Sequence, residues 1–386
     1  MADSRQMSLY LHVPFCSKKC GYCDFYSVPV EDRNTGPLVG ALVTELATRR
    51  SEIGQDVPAI FVGGGTPTVL PDDQLARLFA ALAPIARAGR TREFTVEANP
   101  ATLTDTNVAV FHRAGVNRIS LGAQSFDPAD LAVLERTHDP SDVGPSVAIA
   151  REAGITRINL DLIFGIPGQT ARAWLKSLDR ALELDPDHLA CYALTYEPGT
   201  TLAARREQHR LQPCDEDLEA EMMLAGRRRL LAAGFQHYEI SNYARPGCRC
   251  LHNLRYWKNL SYIGIGPAAA GYRDGLRYKN VADVEQYIRM IEQGHSAVTE
   301  QETLPARRCA GETAMLNLRL TEGIDIPDFH AQTGFDPREL FRAPIERHTT
   351  GGLLAVDHKT ICLTEKGLLL ADLVMADFLH AAAEDG

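Results

Sequence analysis

Long apolar runs are missing from this 386-residue chain, and no stretch approaches the roughly 20 apolar residues a membrane-spanning helix needs. An excess of positive charge is missing too. The 40 lysines and arginines face 50 aspartates and glutamates, a formal net charge of −10. A chain so balanced lacks the basic face that neutralises phosphates, which argues against nucleic acid as the main partner. The basic run Arg227-Arg228-Arg229 falls in a helix-like stretch and reads as a solvated face. The opening residues Met1-Ala2-Asp3-Ser4-Arg5-Gln6 lack the apolar core of a signal peptide. A disulfide framework is also absent, because the nine cysteines are odd in number and either scattered or clustered in motifs. These absences point to a soluble, cytoplasmic protein in a reducing compartment, where thiolates stay free for metal.

What is present starts with three of those cysteines. Cys16, Cys20 and Cys23 stand in Cys-Ser-Lys-Lys-Cys-Gly-Tyr-Cys. Three soft thiolates suit three irons of a [4Fe–4S] cluster and leave the fourth iron open to a small molecule. Structural zinc prefers four ligands in two close pairs, so zinc and unliganded thiols are the weaker alternatives.

Short apolar runs alternate with helical patterns along the first half of the chain. Strands are predicted at Ser8–Val13, Ile60–Gly63, Glu93–Glu97, Arg118–Gln124, Arg157–Phe164 and His188–Thr195. Helices are predicted near Pro37–Ser51, Asp72–Ala86, Asp105–Ala114, Ser141–Ala153 and Thr170–Leu184, with Gly115 and Gly154 as C-terminal stops. That rhythm implies an α/β fold with a parallel sheet, read as an incomplete (β/α)6 barrel. Each strand ends in something chemically unusual: the cysteine loop, Gly63-Gly64-Gly65-Thr66-Pro67, Glu97, Gln124, Asp161 and Thr195-Tyr196-Glu197. Parallel barrels gather their sites at the mouth formed by the C-terminal strand ends, so these residues are expected to share one cavity.

The run Leu-His-Val-Pro-Phe-Cys-Ser-Lys-Lys-Cys-Gly-Tyr-Cys-Asp-Phe, residues 11–25, resembles the cluster loop of the radical S-adenosylmethionine (SAM) superfamily. More narrowly, it is similar to the branch that contains the oxygen-independent coproporphyrinogen III oxidases and the HemW haem chaperones. The resemblance covers nearly the whole chain. It implies a [4Fe–4S] cluster on Cys16, Cys20 and Cys23, whose open iron chelates SAM and breaks its sulfonium C–S bond to give a 5′-deoxyadenosyl radical. It further implies SAM contacts at Tyr10, Tyr22, Gly64, Gly65, Thr66, Glu97, Gln124, Arg136 and Asp161. Carboxylates suit the hydroxyl and ammonium donors of SAM, and Arg136 suits its carboxylate. Read on their own residues, Gly63–Gly65 could be a plain tight turn, and Glu97 or Asp161 a satisfied structural acid.

A second motif, His252-Asn253-Leu254-Arg255-Tyr256-Trp257, resembles one linked to haem in the chaperone branch, which makes His252, Tyr256 and Trp257 haem candidates. Without that likeness, His252 is a hydrogen-bonding loop histidine and Trp257 packs the barrel's open edge. Cys248 and Cys250 lie one residue apart, a poor zinc geometry. The glycines of Tyr262–Gly271 suggest backbone close to the cofactor cavity, and Ala270 replaces a histidine usual in the family.

Three units are expected: a barrel core at 1–200, an extension carrying the second motif at 201–303, with a connection around Gly275–Glu302, and an α+β winged-helix-like domain at 304–386. In the last, helices near Ala306–Leu318 and Pro337–Glu346 precede a hairpin over Leu353–Leu363 and a final helix over Glu365–Ala381. The acidic balance makes this domain a lid or partner surface. Two activities compete. In the oxidase pattern a further cysteine follows at the place of Phe25, and a longer arm precedes the cluster, whereas only fifteen residues precede Cys16 here. Phe25, the short N-terminus and the second motif favour a haem chaperone over a coproporphyrinogen oxidase. The implied partners are haem as cargo, a haem-accepting protein, an electron donor and, peripherally, membrane haem proteins. A structural iron–sulfur or zinc protein without SAM is the bland alternative.

Overall fold

A computed structural model describes residues 6–31, 33–88, 91–273 and 275–383. Residues 1–5, part of the stretch read for a signal segment, lie outside them, as do 384–386 of the C-terminal unit. The first half of the fold is a run of parallel strands: β1 (Ser8–Val13), β2 (Ala59–Gly64), β3 (Glu93–Ala98), β4 (Arg118–Gln124), β5 (Arg157–Phe164) and β6 (His188–Ala193). Each pairs in parallel with the next. Their side chains alternate in chemistry because successive strand residues point to opposite faces. Leu9, Leu11, Ile60, Val62, Phe94, Val96, Ile119, Leu121, Ile158 and Leu160 are completely buried in the main apolar core. The other parity is polar and meets across the strands. Asn159 Nδ2 donates to Ser120 Oγ at 2.6 Å and to Asp161 Oδ1 at 2.8 Å, and His188 Nδ1 lies 2.5 Å from Asn159 Oδ1. A parallel sheet buried on one face by helices thus keeps its other face for polar chemistry.

The sheet is larger than the six predicted strands. It has 12 strands and stays open. One edge is extended by the antiparallel pair β7 (Gln236–Glu239) and β8 (Asn242–Ala244) next to β6. At the other, β9 (Tyr262–Ile265) pairs in parallel with β1, followed by β10 (Ala270–Arg273), β11 (Leu276–Asn280) and β12 (Val298–Thr303), all antiparallel. The segment read as a connection around Gly275–Glu302 therefore forms strands and a helix, Val284–Glu292. The glycines of this region also differ from expectation: Gly264 and Gly266 pack against the Ala270 and His12 carbonyls, inside the sheet rather than on the cavity.

Helix boundaries follow the prediction except where one residue is pulled away. The predicted Pro37–Ser51 helix divides into Gly36–Thr48 and Arg50–Ile53, and Arg49 at the break donates to the Gly264 carbonyl at 3.0 Å and Tyr278 Oη at 2.7 Å. Asp105–Ala114 ends, as read, on Gly115 at φ 98°. In the C-terminal region a second core runs from Ala310 to Ala382. It encloses a small sheet of β13 (Ile324–Asp325), β14 (Leu354–Val356) and β15 (Thr360–Leu363), with the predicted hairpin formed by the last two. The predicted final helix divides into Glu365–Leu369 and Ala371–Ala383 around Leu370. Arg227 is not a plain solvated residue, since it pairs with Glu365 of this region at 2.6 Å, and Arg229 pairs with Asp179 at 2.7 Å.

Candidate functional site

A cavity of about 770 Å³ opens at the C-terminal ends of the parallel strands. Cys16, Cys20 and Cys23 line it together with Tyr22, Gly64, Gly65, Thr66, Glu97, Gln124, Arg136 and Asp161. Residues from four strand ends and the cysteine loop thus converge as the strand order required, and Thr195 joins them beyond β6, whereas Tyr196 and Glu197 do not line the cavity. Tyr10 does not line the cavity. Its phenol bonds His12 Nδ1 at 3.0 Å, and His12 Nε2 in turn meets the Tyr26 carbonyl at 2.9 Å.

The cysteine loop is tied to the glycine turn by backbone. Gly65 N–H donates to the Val13 carbonyl at 2.8 Å and Thr66 N–H to the Phe15 carbonyl at 2.7 Å. Gly64 adopts φ 103°, and a Cβ there would overlap the His12 ring. A Cβ on Gly65 would stand 2.5 Å from the Phe15 carbonyl oxygen. Only glycine permits both that backbone and that approach. The plain-turn reading therefore understates this segment, which also sets the position of the thiols.

All three thiols are free and partly exposed to the cavity. Burial raises the Cys16 thiol, and burial followed by the neighbouring Cys20 and Cys16 pushes Cys23 up to about 11, against a backbone bond at Phe25. Cys16 and Cys23 thus hold their protons until a metal replaces them. Polar donors already face the sulfurs: Thr66 Oγ1 lies 3.6 Å from Cys16 Sγ and Arg136 Nη1 3.4 Å from Cys20 Sγ. Among the described residues no three His, Cys, Asp or Glu side chains converge on a single-ion site. Three separated thiolates with outer hydrogen bonds fit an iron–sulfur cluster.

The opposite wall carries paired carboxylates. Glu97 accepts from Gly64 N–H at 3.0 Å. Burial and the neighbouring Asp161 push the Glu97 carboxyl up to about 7, opposed by the Gly64 bond. Asp161 is raised by burial, and the bonds it accepts from Asn159 and Ser120 oppose the rise. Two desolvated acids in one cavity favour a cationic ligand, which removes their repulsion. Arg136 gives Nη2 to the Gly122 carbonyl at 2.8 Å, while its buried Nε has no partner and suits a carboxylate. Gln124, at φ 62°, sits where the pairing of β4 and β5 slips, and that irregularity aims its side chain at the cavity. These groups fit SAM, which combines a sulfonium, an ammonium and a carboxylate.

The second motif lies at the other end of the barrel. His252, Tyr256 and Trp257 belong to helix Leu251–Trp257, which is anchored at the start of β3. Glu93 Oε2 accepts from Leu251 N–H at 3.0 Å, and its Oε1 accepts from His252 N–H at 3.1 Å and from the Cys250 thiol at 3.3 Å. Glu93 also pairs with Arg118 at 3.4 Å, both side chains fully buried. The strand step from Glu93 to Glu97 is roughly 13 Å, so the start of this helix lies on the floor, while the His252 ring rises to Phe61 and Tyr10. Its ring stacks on Phe61 at 5.0 Å, and its Nε2 meets Tyr256 Oη at 2.7 Å. Burial, then Arg255, pulls the imidazole down to about 3, and Nδ1 has no partner. Trp257 turns away and lies under Arg319, with the guanidinium carbon 4.4 Å from its ring centre. Cys250, committed to Glu93, does not join His252 in a metal site. Arg118→Met leaves Glu93 buried and unpaired, an expected loss of about 3–5 kcal/mol of stability measured by urea unfolding. An unchanged midpoint would refute the anchoring role of the pair.

The far lining of the cavity was not legible in the motifs. It comprises Tyr192, Met223, Ile240, Arg319 and the segment Leu368–Leu373, the last two from the C-terminal region. Phe25 also lines the opening and is 65% exposed.

The sequence profile of the radical SAM superfamily matches residues 10–181, and that of the HemN C-terminal domain matches residues 305–370. The chain is 35% identical over 374 residues to the heme chaperone HemW of Bacillus subtilis (strain 168), spanning 96% of this chain and 99% of that one. It belongs to the HemW family of radical SAM proteins. Identity to HemW of Escherichia coli (strain K12) is also 35%, over 97% of this chain and 98% of that one. The mitochondrial radical S-adenosyl methionine domain-containing protein 1 of Mus musculus is 34% identical, over 99% of this chain and 89% of that one. The fold of this HemW-family chain is that of the E. coli coproporphyrinogen III oxidase HemN, with a TM-score of 0.82 over 97% of this chain and 90% of that one, at 24% identity. Among the described residues no helix is long and apolar enough to cross a membrane.

Proposed function

We propose that this protein is a haem chaperone: it binds haem and transfers it to a haem-dependent protein, using a cluster and SAM held at the barrel mouth. The observation that carries the reading is the convergence of Cys16, Cys20, Cys23, the glycine turn and the Glu97–Asp161 pair on one cavity whose opening bears Phe25 instead of a further cysteine. Cys16, Cys20 and Cys23 would hold a [4Fe–4S] cluster, which supplies, when bound, an open iron position and a low-potential electron. Gly64, Gly65 and Thr66 set the loop against it, Glu97 and Asp161 draw the cationic end of SAM, and Arg136 takes the carboxylate. Tyr22 and Gln124 complete the lining. Tyr10 contributes through His12, beneath the turn. The buried motif 252–257 ties the barrel floor to the C-terminal region through Trp257.

The partners that follow are a haem-accepting protein, an electron donor and, peripherally, haem proteins of the membrane. A reducing compartment, which we take to be the cytoplasm, suits nine free cysteines, three of them awaiting metal. Coproporphyrinogen III oxidase activity is the rival, since HemN has this fold. The deciding experiment is anaerobic. Cluster-reconstituted protein is incubated with SAM, a reductant and coproporphyrinogen III, and porphyrin products are followed by mass spectrometry. In parallel, haem-loaded protein is mixed with an apo haem protein. No decarboxylation together with stoichiometric haem transfer is expected, whereas stepwise loss of two carboxyl groups would make it an oxidase.

A further inference from the structure

We propose that the haem cargo occupies the far half of the mouth cavity, with a propionate on Arg319 and the macrocycle against Leu370, Leu373 and Phe25. The inference rests on the haem-chaperone reading and deepens it by placing the cargo. The cavity divides chemically. The half beside the cysteines carries Glu97, Asp161 and Arg136, while the half toward the C-terminal region is lined by Met223, Ile240, Leu370 and Leu373, with Arg319, Ser241 and the carboxylate of Asp372 among them. An apolar chamber with one well-placed cation suits an apolar plate that ends in carboxylates.

Leu370 is 45% exposed and Leu373 57% exposed, and they stand at the same opening as Phe25. Large apolar side chains left uncovered together mark a binding surface rather than a solvent face. The helix break at Leu370 explains how they reach it, because the turn between Glu365–Leu369 and Ala371–Ala383 projects that segment over the mouth.

Arg319 is held in place yet not used up. Its Nη2 pairs with Glu239 at 3.4 Å, and its guanidinium lies on the Trp257 ring at 4.4 Å. Glu239 is fully buried and also accepts from Asn242 and from Ser241 N–H. The buried Nε of Arg319 has no partner. A planar guanidinium fixed by one carboxylate and one indole, with 24% of its side chain exposed, keeps its open end for a second carboxylate. The tryptophan of the second motif thus acts on the cargo by positioning Arg319. His252 is 1% exposed beneath Phe61 and Tyr256, and helix Leu251–Trp257 would have to leave the barrel before iron could reach it. Among the described residues no histidine lines the cavity, so the placement rests on the apolar walls and Arg319.

The test titrates full-length, cluster-reconstituted protein with haemin and with haemin dimethyl ester, following the Soret band. Arg319→Gln should weaken haemin by roughly tenfold or more, the worth of a charge-assisted hydrogen bond, and leave the uncharged ester unaffected. Arg319→Lys should restore part of the haemin affinity. Leu373→Ser, at a side chain 57% exposed, should weaken haemin and ester alike. Haemin affinity unchanged from wild type in both Arg319→Gln and Leu373→Ser, or equal loss of haemin and ester in Arg319→Gln, would overturn the placement. Loss of the haem spectrum in His252→Ala alone would move the cargo to the floor and overturn it too. Absence of haemin binding by the wild-type protein would instead remove the chaperone reading on which it stands.

Discussion

Cys20→Ala protein, reconstituted anaerobically with iron and sulfide, is expected to retain no cluster absorption and no SAM cleavage. Its iron and sulfide content should fall roughly tenfold or more, at least what loss of an outer hydrogen bond costs a metal site. Cys20 lies between Cys16 and Cys23 on one loop, and its sulfur is the one that faces Arg136. Three ligands already leave one iron open, so two do not hold the cluster against loss of iron. The same result is expected for Cys16→Ala and Cys23→Ala, whereas Cys248→Ala, whose carbonyl rather than thiol meets Arg118 at 3.0 Å, should keep its cluster. Unchanged iron and sulfide in Cys20→Ala would sink the cluster assignment. Measuring content beside absorption separates a lost cluster from an altered one.

Glu97→Gln should do two opposite things. Without cofactors it should stabilise the protein at pH 8 by about 2–3 kcal/mol, the free energy equivalent of its raised pKa discounted for partial exposure to the cavity. The sign follows from linkage. The folded-state carboxyl titrates at about 7, above its ordinary 4.5, so the native state binds the proton more tightly than the unfolded chain. That contribution is fully present below pH 4.5 and is lost as pH rises through 7. The advantage of Glu97→Gln over wild type should therefore be small at pH 5 and largest at pH 8, as read by urea unfolding at both values. With the cluster in place, the same substitution should weaken SAM roughly tenfold, because a charge-assisted acceptor becomes neutral. A stability difference that does not change between pH 5 and pH 8 would show that Glu97 is ionised without cost, and the cation-site reading would fail with it. A stabilising substitution that damages ligand binding is what a site built from desolvated acids should give.

How much of this was legible beforehand depends on distance along the chain. The strand segments Ser8–Val13, Arg118–Gln124 and Arg157–Phe164 form as read, because parallel strands covered by helices alternate apolar and polar residues over short windows. Cys16, Cys20, Cys23, Gly64 and Gly65 were legible because a cluster loop and a close glycine turn demand residue types that few other structures require. Tyr10, named on the family resemblance alone, lies beside His12 and Phe61 and is not among the residues lining the cavity, a depth that no local pattern announces. His252 was legible as a motif, not as a location, because nothing local announces that Glu93 and Arg118 will hold its helix at the barrel floor.

The residues of the far chamber have no short-range signature at all. Arg319 is an ordinary arginine at the end of a helix until Glu239 and Trp257, about 60 to 80 residues upstream, meet it across the open side of the barrel. Leu370 and Leu373 read as the apolar face of a final helix, and only the break at Leu370 turns them toward Phe25. By itself the sequence determined the three-cysteine loop, the glycine turn, the βα order and hence the end of the barrel at which these residues gather, since each depends on neighbours in the chain. The tertiary structure decided the floor position of the helix that carries His252, the Arg319–Glu239–Trp257 constellation and the apolar rim, because each depends on contacts between segments far apart in the chain, where local pattern carries no information.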